Sequence, residues 1–147
     1  MRFIKLSTDE FPTEEDLQEY FSDELPSREP PGRFVFPMGR IGEDGLRAGE
    51  TLVFTYEARI RYVAEAKTGV LKNADDPETA EYPVYFVINM ETLRPTDVPL
   101  QKLEELLARE KIYSKNLVHS QAWVPIQHDT RAQELLEGLI AKQGTAK

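Results

Sequence analysis

Aromatic and small polar side chains are the candidate functional residues of this sequence, and together they are suited to binding a flat ring. A pocket for an unstacked nucleic-acid base needs apolar walls for stacking and amide or hydroxyl groups for the base edge. Such groups stand directly before Trp123, the single tryptophan, and the chain also has six tyrosines. The predicted base-binding residues are Trp123, Tyr56, Tyr85, Tyr113, Ser120, Gln121 and Asn116. The alternative for Trp123 is an ordinary place in the hydrophobic core.

The sequence offers little support for covalent or metal-dependent catalysis. It has no cysteine, which excludes a thiolate zinc site. It has no G-x-S-x-G motif, and its two histidines, His119 and His128, lack the spacing of metal ligands. We therefore predict a binding domain with no catalytic residues, no metal and no cofactor.

Positive charge is concentrated in one part of an acidic chain. The net charge is −8, and residues 1–30 hold nine acidic against three basic side chains. Between residues 33 and 72 the balance reverses, to seven basic against five acidic side chains. Because phosphate groups bind such cations, the sequence predicts a locally basic face made by Arg33, Arg40, Arg59, Arg61 and Lys67. A mixed, solvated surface is the alternative.

The chain is long enough, at 147 residues, for one domain with its own core. We expect a single domain over residues 1–147, with an acidic N-terminal element over residues 1–32 and a loose tail over residues 143–147. The N-terminal element differs in composition from the rest, which suggests a lid. No apolar stretch approaches the roughly 18 residues of a membrane span, so we expect no membrane partner and, by default, a cytoplasmic location.

Strands are predicted where short segments are rich in β-branched and aromatic residues. The central pair spans residues 51–56 and 59–66, with a tight reversal at Glu57-Ala58 and with Ile60 facing the core. The other predicted strands are residues 3–6, 33–36, 82–90 and 121–126.

Helices are predicted where a capping residue precedes an apolar stripe. The first begins after Thr13 as its N-cap, and an irregular connector follows over residues 25–32. The second has Pro99 at its first position and contains a stripe of leucines. The third spans residues 130–142, with a capping box at Thr130. Strands and helices together predict an α+β fold built around a small mixed barrel.

Two adjoining segments resemble the central strand pair of the PUA-like superfamily, which includes the ASCH, EVE and YTH domains. They are Ala48-Gly49-Glu50-Thr51-Leu52-Val53-Phe54 and Tyr62-Val63-Ala64-Glu65-Ala66. The resemblance implies a small mixed, mostly antiparallel PUA-like β-barrel with about three flanking helices.

The resemblance also implies a function. EVE-like and YTH-like domains bind a modified base in an aromatic-walled pocket, which implies a nucleic-acid partner, DNA in preference to RNA, and a modified or flipped base. A domain that recognises a modified base but has no catalytic residues would act together with an effector domain. This leads to the hypothesis of a specificity domain from a modification-dependent restriction endonuclease, fused to or associated with a nuclease domain.

Two other hypotheses stay open. Some ASCH domains resemble ribonucleases that use Lys, Tyr and Arg near the barrel mouth, a role for which Lys67, Arg59 and Tyr85 are candidates. Alternatively, the leucine-striped helices dock a protein partner and the domain binds no nucleic acid.

Overall fold

The computed structural model describes residues 1–37, 40–41, 45–72, 84–118, 123–126 and 129–145. Its helices and strands, in chain order, are β1 (Arg2–Leu6), α1 (Glu14–Glu19), a π-helical turn (Tyr20–Glu24), α2 (Leu25–Ser27), β2 (Arg33–Phe36), β3 (Thr51–Tyr56), β4 (Arg59–Ala66), β5 (Leu71–Lys72), β6 (Val84–Pro99), α3 (Leu100–Arg109) and α4 (Asp129–Thr145).

The described strands form one curled, six-stranded sheet in the order β1-β3-β4-β6-β2, with β5 also paired to β6. β1 runs parallel to β3, and every other pair of strands in this sheet is antiparallel. Three helical segments flank the sheet: the continuous stretch from α1 to α2, then α3, then α4. The fold is therefore α+β with a mostly antiparallel half-barrel, as the sequence predicts.

The turn between β3 and β4 confirms the predicted reversal. Glu57 and Ala58 have φ angles of 50° and 61°, the left-handed values that a two-residue hairpin turn requires. This conformation costs a residue with a side chain roughly 1–2 kcal/mol. The Ala58 carbonyl accepts a hydrogen bond from the Leu100 amide at 3.0 Å, so the turn also holds the start of α3.

The sheet separates two hydrophobic cores. The inner core, on one side, includes Leu52, Phe54 and Phe86. The outer core lies against α3 and α4 and includes Val53 and Leu103. Successive residues of a strand point to opposite faces of a sheet. Because both faces of β3 are covered, all of its side chains are buried.

The Trp123 ring spans the two ends of the curled sheet. The segment that carries Trp123 lies beside β1, where the Phe3 amide donates to the Val124 carbonyl at 2.8 Å. Its ring centroid lies 6.0 Å from that of Phe34 and 5.4 Å from that of Phe36, both on β2 at the other end of the sheet. The inner core is therefore enclosed along most of its circumference.

The acidic N-terminal element belongs to the inner core. Thr13 and Asp16 form a capping box at the start of α1, as the predicted N-cap requires. Leu17, Phe21 and Leu25 are almost fully buried. We call residues 11–27 the plug, because their buried side chains fill the half-barrel.

The connector predicted over residues 25–32 begins later than expected. Leu25–Ser27 is still helical, with Pro26 as its second residue. The chain then passes through Gly32, at φ +87°, into β2.

β6 is longer than the strand predicted over residues 82–90. The described part begins at Val84 and continues to Pro99. The apolar run ends at Met90, but pairing with β4 goes on, and the Thr96 hydroxyl donates to the Ile60 carbonyl at 2.8 Å. Side chains of the second half are mostly half-buried or exposed, so their polar pattern hid the strand.

Three boundaries also differ from prediction. Pro99 has an extended ψ of 126° and ends β6, so α3 begins one residue later, at Leu100. α4 begins at Asp129, which places Thr130 inside the helix and not at its N-cap. Of the last predicted strand, the structure describes residues 123–126, and there a single β-bridge joins Pro125 to Arg2. Within the described ranges, no helix is both long and apolar enough to cross a membrane.

Candidate nucleic-acid interface

Trp123 lies in the inner core, with 6% of its surface exposed. Its carbonyl accepts a hydrogen bond from Nη1 of the buried Arg2 at 2.7 Å. The guanidinium of Arg40 stands over its ring, with Cζ 6.0 Å from the centroid. The ring is therefore covered on all sides, which fits a core residue better than an open pocket wall.

The predicted tyrosines lie in three different places. Tyr56 is buried in the inner core, and its hydroxyl donates to the Phe11 carbonyl. Tyr85 is half-buried on β6, with Cζ of Arg33 4.4 Å from its ring centroid. Tyr113 packs against the outer core. Tyr56 therefore shares the inner core with Trp123, whereas Tyr85 and Tyr113 lie elsewhere.

The predicted polar residues do not complete a pocket among the described residues. Asn116 is exposed in the loop after α3. Ser120 and Gln121, like His119 and His128, lie outside the residues that the structure describes.

Two of the predicted basic residues form ion pairs with carboxylates. Arg59 pairs with Asp97, and Arg61 pairs with Glu14 of the plug. Lys67 is exposed just after β4. Because acidic side chains from distant parts of the chain neutralise Arg59 and Arg61, the excess of positive charge seen in the sequence is partly cancelled in the fold.

A cavity of about 370 Å³ lies at the free edge of β2, between that strand and the plug. We call it the β2-edge pocket. The residues that line it are Asp9, Glu10, Phe11, Tyr20, Glu24, Arg28, Phe34 and Val35.

Aromatic rings make the apolar part of the β2-edge pocket. The half-buried Tyr20 ring meets Phe11 edge-on at 5.1 Å between centroids and Phe34 edge-on at 6.1 Å. Burial raises the pKa of the Tyr20 hydroxyl well above its ordinary value, so this group stays protonated and can donate a hydrogen bond. Phe34 also touches Trp123, which supports the pocket from behind.

The backbone of β2 adds polar groups to the pocket. The Gly32 carbonyl accepts from the Ile88 amide, on the side of β6, whereas the Arg33 carbonyl accepts from Arg28 Nη1 at 3.2 Å on the opposite side. Alternate residues of an antiparallel strand direct their amide and carbonyl groups the same way. Those of Val35 therefore point away from β6, toward the pocket that Val35 lines.

Carboxylates complete the pocket. Glu24 forms an ion pair with Arg28 at 2.8 Å, and Cζ of Arg28 lies 5.3 Å from the centroid of the Tyr20 ring. Burial raises the pKa of Glu10, an effect that the nearby Arg40 opposes. Glu10 is an exposed acceptor whose ionised form gains from any donor brought to it. Among the described residues, no cluster of His, Asp and Glu suits a metal ion.

No protein-family model matches the sequence, and no curated protein matches it. Among solved structures, the fold is similar to that of the YTH domain of Zygosaccharomyces rouxii MRB1, determined in complex with N6-methyladenosine RNA. The similarity covers 94% of this chain and 86% of that chain, with a TM-score of 0.54 and 16% sequence identity. This protein has a YTH-like fold. At so low an identity the likeness concerns the fold alone.

The pocket of this YTH-like fold was missed in the sequence because its residues come from separate segments. In the sequence, Asp9-Glu10-Phe11 stands out only as part of the acidic residues 1–30. Tyr20 stands out only as part of the apolar face of a helix. The one available signal was the run of alternating aromatic residues in Arg33–Phe36, next to a connector that brings the chain back from a helix.

Proposed function

We propose that the protein binds single-stranded nucleic acid and reads one unstacked base in the β2-edge pocket. The observation that carries the proposal is the joining of aromatic walls, edge-strand backbone and carboxylates in one cavity of about 370 Å³. That size falls within the range of small-ligand pockets, roughly 300–1,000 Å³.

Stacking supplies most of the affinity in this proposal. Tyr20 is half-buried and lines the cavity, and Phe11 and Phe34 close the pocket around it. Stacking of a base on an aromatic ring is worth about 1–3 kcal/mol.

Hydrogen bonds at the base edge supply the selectivity. Carboxylates accept hydrogen bonds from exocyclic amino groups of bases, which suits Asp9 and Glu10, while the Val35 amide and carbonyl match a ring that both accepts and donates. An exocyclic amine that carries one methyl group keeps one N–H donor. The methyl group also makes apolar contact with the aromatic rings of the pocket. A base with such a methylated amine therefore fits the pocket better than a base without an amine.

RNA is the first ligand in this proposal. The YTH domain with the similar fold was determined with methylated RNA, and this supports RNA over the DNA that the sequence resemblance suggested. DNA, and with it the restriction-system hypothesis with a nuclease partner, forms the second arm of the test. Arg28 and Arg40 lie beside the pocket carboxylates and supply the phosphate contacts.

Fluorescence anisotropy with short single-stranded RNA and DNA, each with and without one N-methylated adenine, tests the proposal. Tyr20→Ala should weaken binding roughly 5- to 150-fold, the value of one stacking contact, and Tyr20→Phe should bind like the original protein. Tyr85→Ala is the matched control, because Tyr85 lies outside the pocket. Equal weakening by Tyr85→Ala, or no binding of any oligonucleotide, would overturn the proposal.

A further inference from the structure

A second cavity, of about 430 Å³, lies where β4, β6, α3 and α4 meet. We call it the basic cavity. The residues that line it are Arg59, Asp97, Val98, Pro99, Lys102, Leu139 and Lys142. It shares no lining residue with the β2-edge pocket.

Positive charge converges on this cavity from separate parts of the fold. Arg59 begins β4, Lys102 lies in the first turn of α3, and Lys142 lies near the end of α4. These three cations face a single lining carboxylate, that of Asp97, on a protein of net charge −8. Like charges held together repel each other, so the gathering favours an anionic ligand.

Asp97 orients Arg59 and does not close off its guanidinium. The pair uses Nε of Arg59 against the Asp97 carboxylate, and Nη2 against the Asp97 carbonyl at 3.4 Å. A guanidinium is a rigid planar fork with five donors that suits phosphate oxygens. Because Nε and Nη2 are held by Asp97, the plane of the guanidinium is fixed, and so is the direction in which Nη1 can donate to a ligand.

One wall of the basic cavity is apolar. Val98 is 3% exposed, and Leu139 packs at the margin of the outer core. Apolar surroundings lower the local dielectric and strengthen attraction between unlike charges. The cavity therefore attracts an anion more strongly than scattered surface lysines would.

We infer that the basic cavity binds a phosphoryl group. The group comes either from a nucleic-acid backbone or from a free nucleotide or polyphosphate, since all of these present the same charged oxygens. The inference stands apart from the base-reading proposal, because the two cavities are lined by different residues.

The test is a titration of the full chain with inorganic pyrophosphate, monitored by the amide shifts of residues 97, 98 and 100–103 in ¹H–¹⁵N NMR spectra. We expect saturable shifts that chloride at the same ionic strength does not produce. Lys102→Gln should raise the dissociation constant about tenfold, the value of one charged hydrogen bond. Lys115→Gln is the matched control, because this exposed lysine does not line the cavity, and it should leave the dissociation constant unchanged.

Shifts that do not saturate, or that are equal in Lys102→Gln and in the original protein, would overturn the inference. Competition then identifies the source of the phosphoryl group: an oligonucleotide that displaces pyrophosphate places the backbone in the cavity, and displacement by a mononucleotide alone indicates a free nucleotide. Loss of oligonucleotide binding in Tyr20→Ala with pyrophosphate binding intact separates this inference from the base-reading proposal.

Discussion

The Trp123 ring touches Phe34 and Phe36 across the gap between the ends of the sheet, and Arg2 holds its carbonyl from within the core. A side chain in this position contributes mainly to stability. The same contacts connect it to the β2-edge pocket through Phe34, so a change at Trp123 also shifts a pocket wall.

We expect Trp123→Ala to lower the free energy of unfolding by about 3–5 kcal/mol, as for other buried aromatic residues. Urea denaturation measures the loss. Trp123→Phe should cost less, since a ring still fills part of the space. A Trp123→Ala variant with unchanged stability would show that the ring is not a core residue.

Glu10 gives a pH-dependent prediction. Burial raises its pKa in the folded protein above the ordinary value of 4.5. Its ionised form is therefore less stable in the folded than in the unfolded chain, and stability falls as pH rises through 4.5 toward the raised value. Glu10→Gln should be more stable than the original protein at pH 7 and equal to it at pH 3, as thermal midpoints will show.

The same variant separates structure from function. If Glu10 accepts a hydrogen bond from a base, Glu10→Gln gains stability and loses affinity for oligonucleotides. Such opposed effects are typical of binding residues. Higher stability with unchanged affinity would remove Glu10 from the proposed site.

Among the elements, the β3–β4 hairpin carries a local strain. Glu57 and Ala58 both occupy left-handed backbone, where Asn and Gly are favoured. The predicted reversal is present even so, because long-range contacts impose it: β3 is buried on both faces and β4 pairs with β6 along its length. The pattern of apolar residues was therefore a better guide than turn chemistry.

We expect Glu57→Asn combined with Ala58→Gly to raise the free energy of unfolding by about 1 kcal/mol, by relieving this strain. The urea midpoint should rise with no change in the slope of the transition. Glu65→Asn, at an exposed position in extended β4, is the control and should not stabilise the protein. A lower midpoint for the double variant would contradict the prediction.

Elements whose signals are local could be predicted, and contacts between distant segments could not. Residues 51–56 and 59–66 carry their own alternation, so their strands were found with the observed bounds. The pairing of Arg61 with Glu14 joins residues 47 positions apart. Composition along the chain gives no sign of that pairing, and so the basic face was overestimated.

At the scale of the whole molecule, the plug and the half-barrel share one core. The Phe21 ring stacks on Tyr62 with centroids 4.0 Å apart and an interplanar angle of 12°, and it meets Phe54 edge-on at 5.2 Å. The acidic composition of the N-terminal element hid this role, because the acids lie on the exposed faces of the helices.

We expect Phe21→Ala to destabilise the whole domain by about 3–5 kcal/mol, with circular dichroism and tryptophan fluorescence changing in a single transition. Glu19→Ala, at an exposed position in the same element, is the control and should have little effect. Two separate transitions, with the plug lost first, would show that the element is a lid.

The β2-edge pocket lies at the seam between the plug and β2, with walls from both. A ligand there joins two segments that the backbone connects only through residues 28–32. Arg28 is half-buried and paired with Glu24, so we expect trypsin to reach it when the seam opens, and a ligand at 100 times its dissociation constant opposes the opening by about 2.7 kcal/mol. Trypsin cleavage after Arg28 should then slow about a hundredfold, so resistance to proteolysis can be used to search for the natural ligand before its chemistry is known.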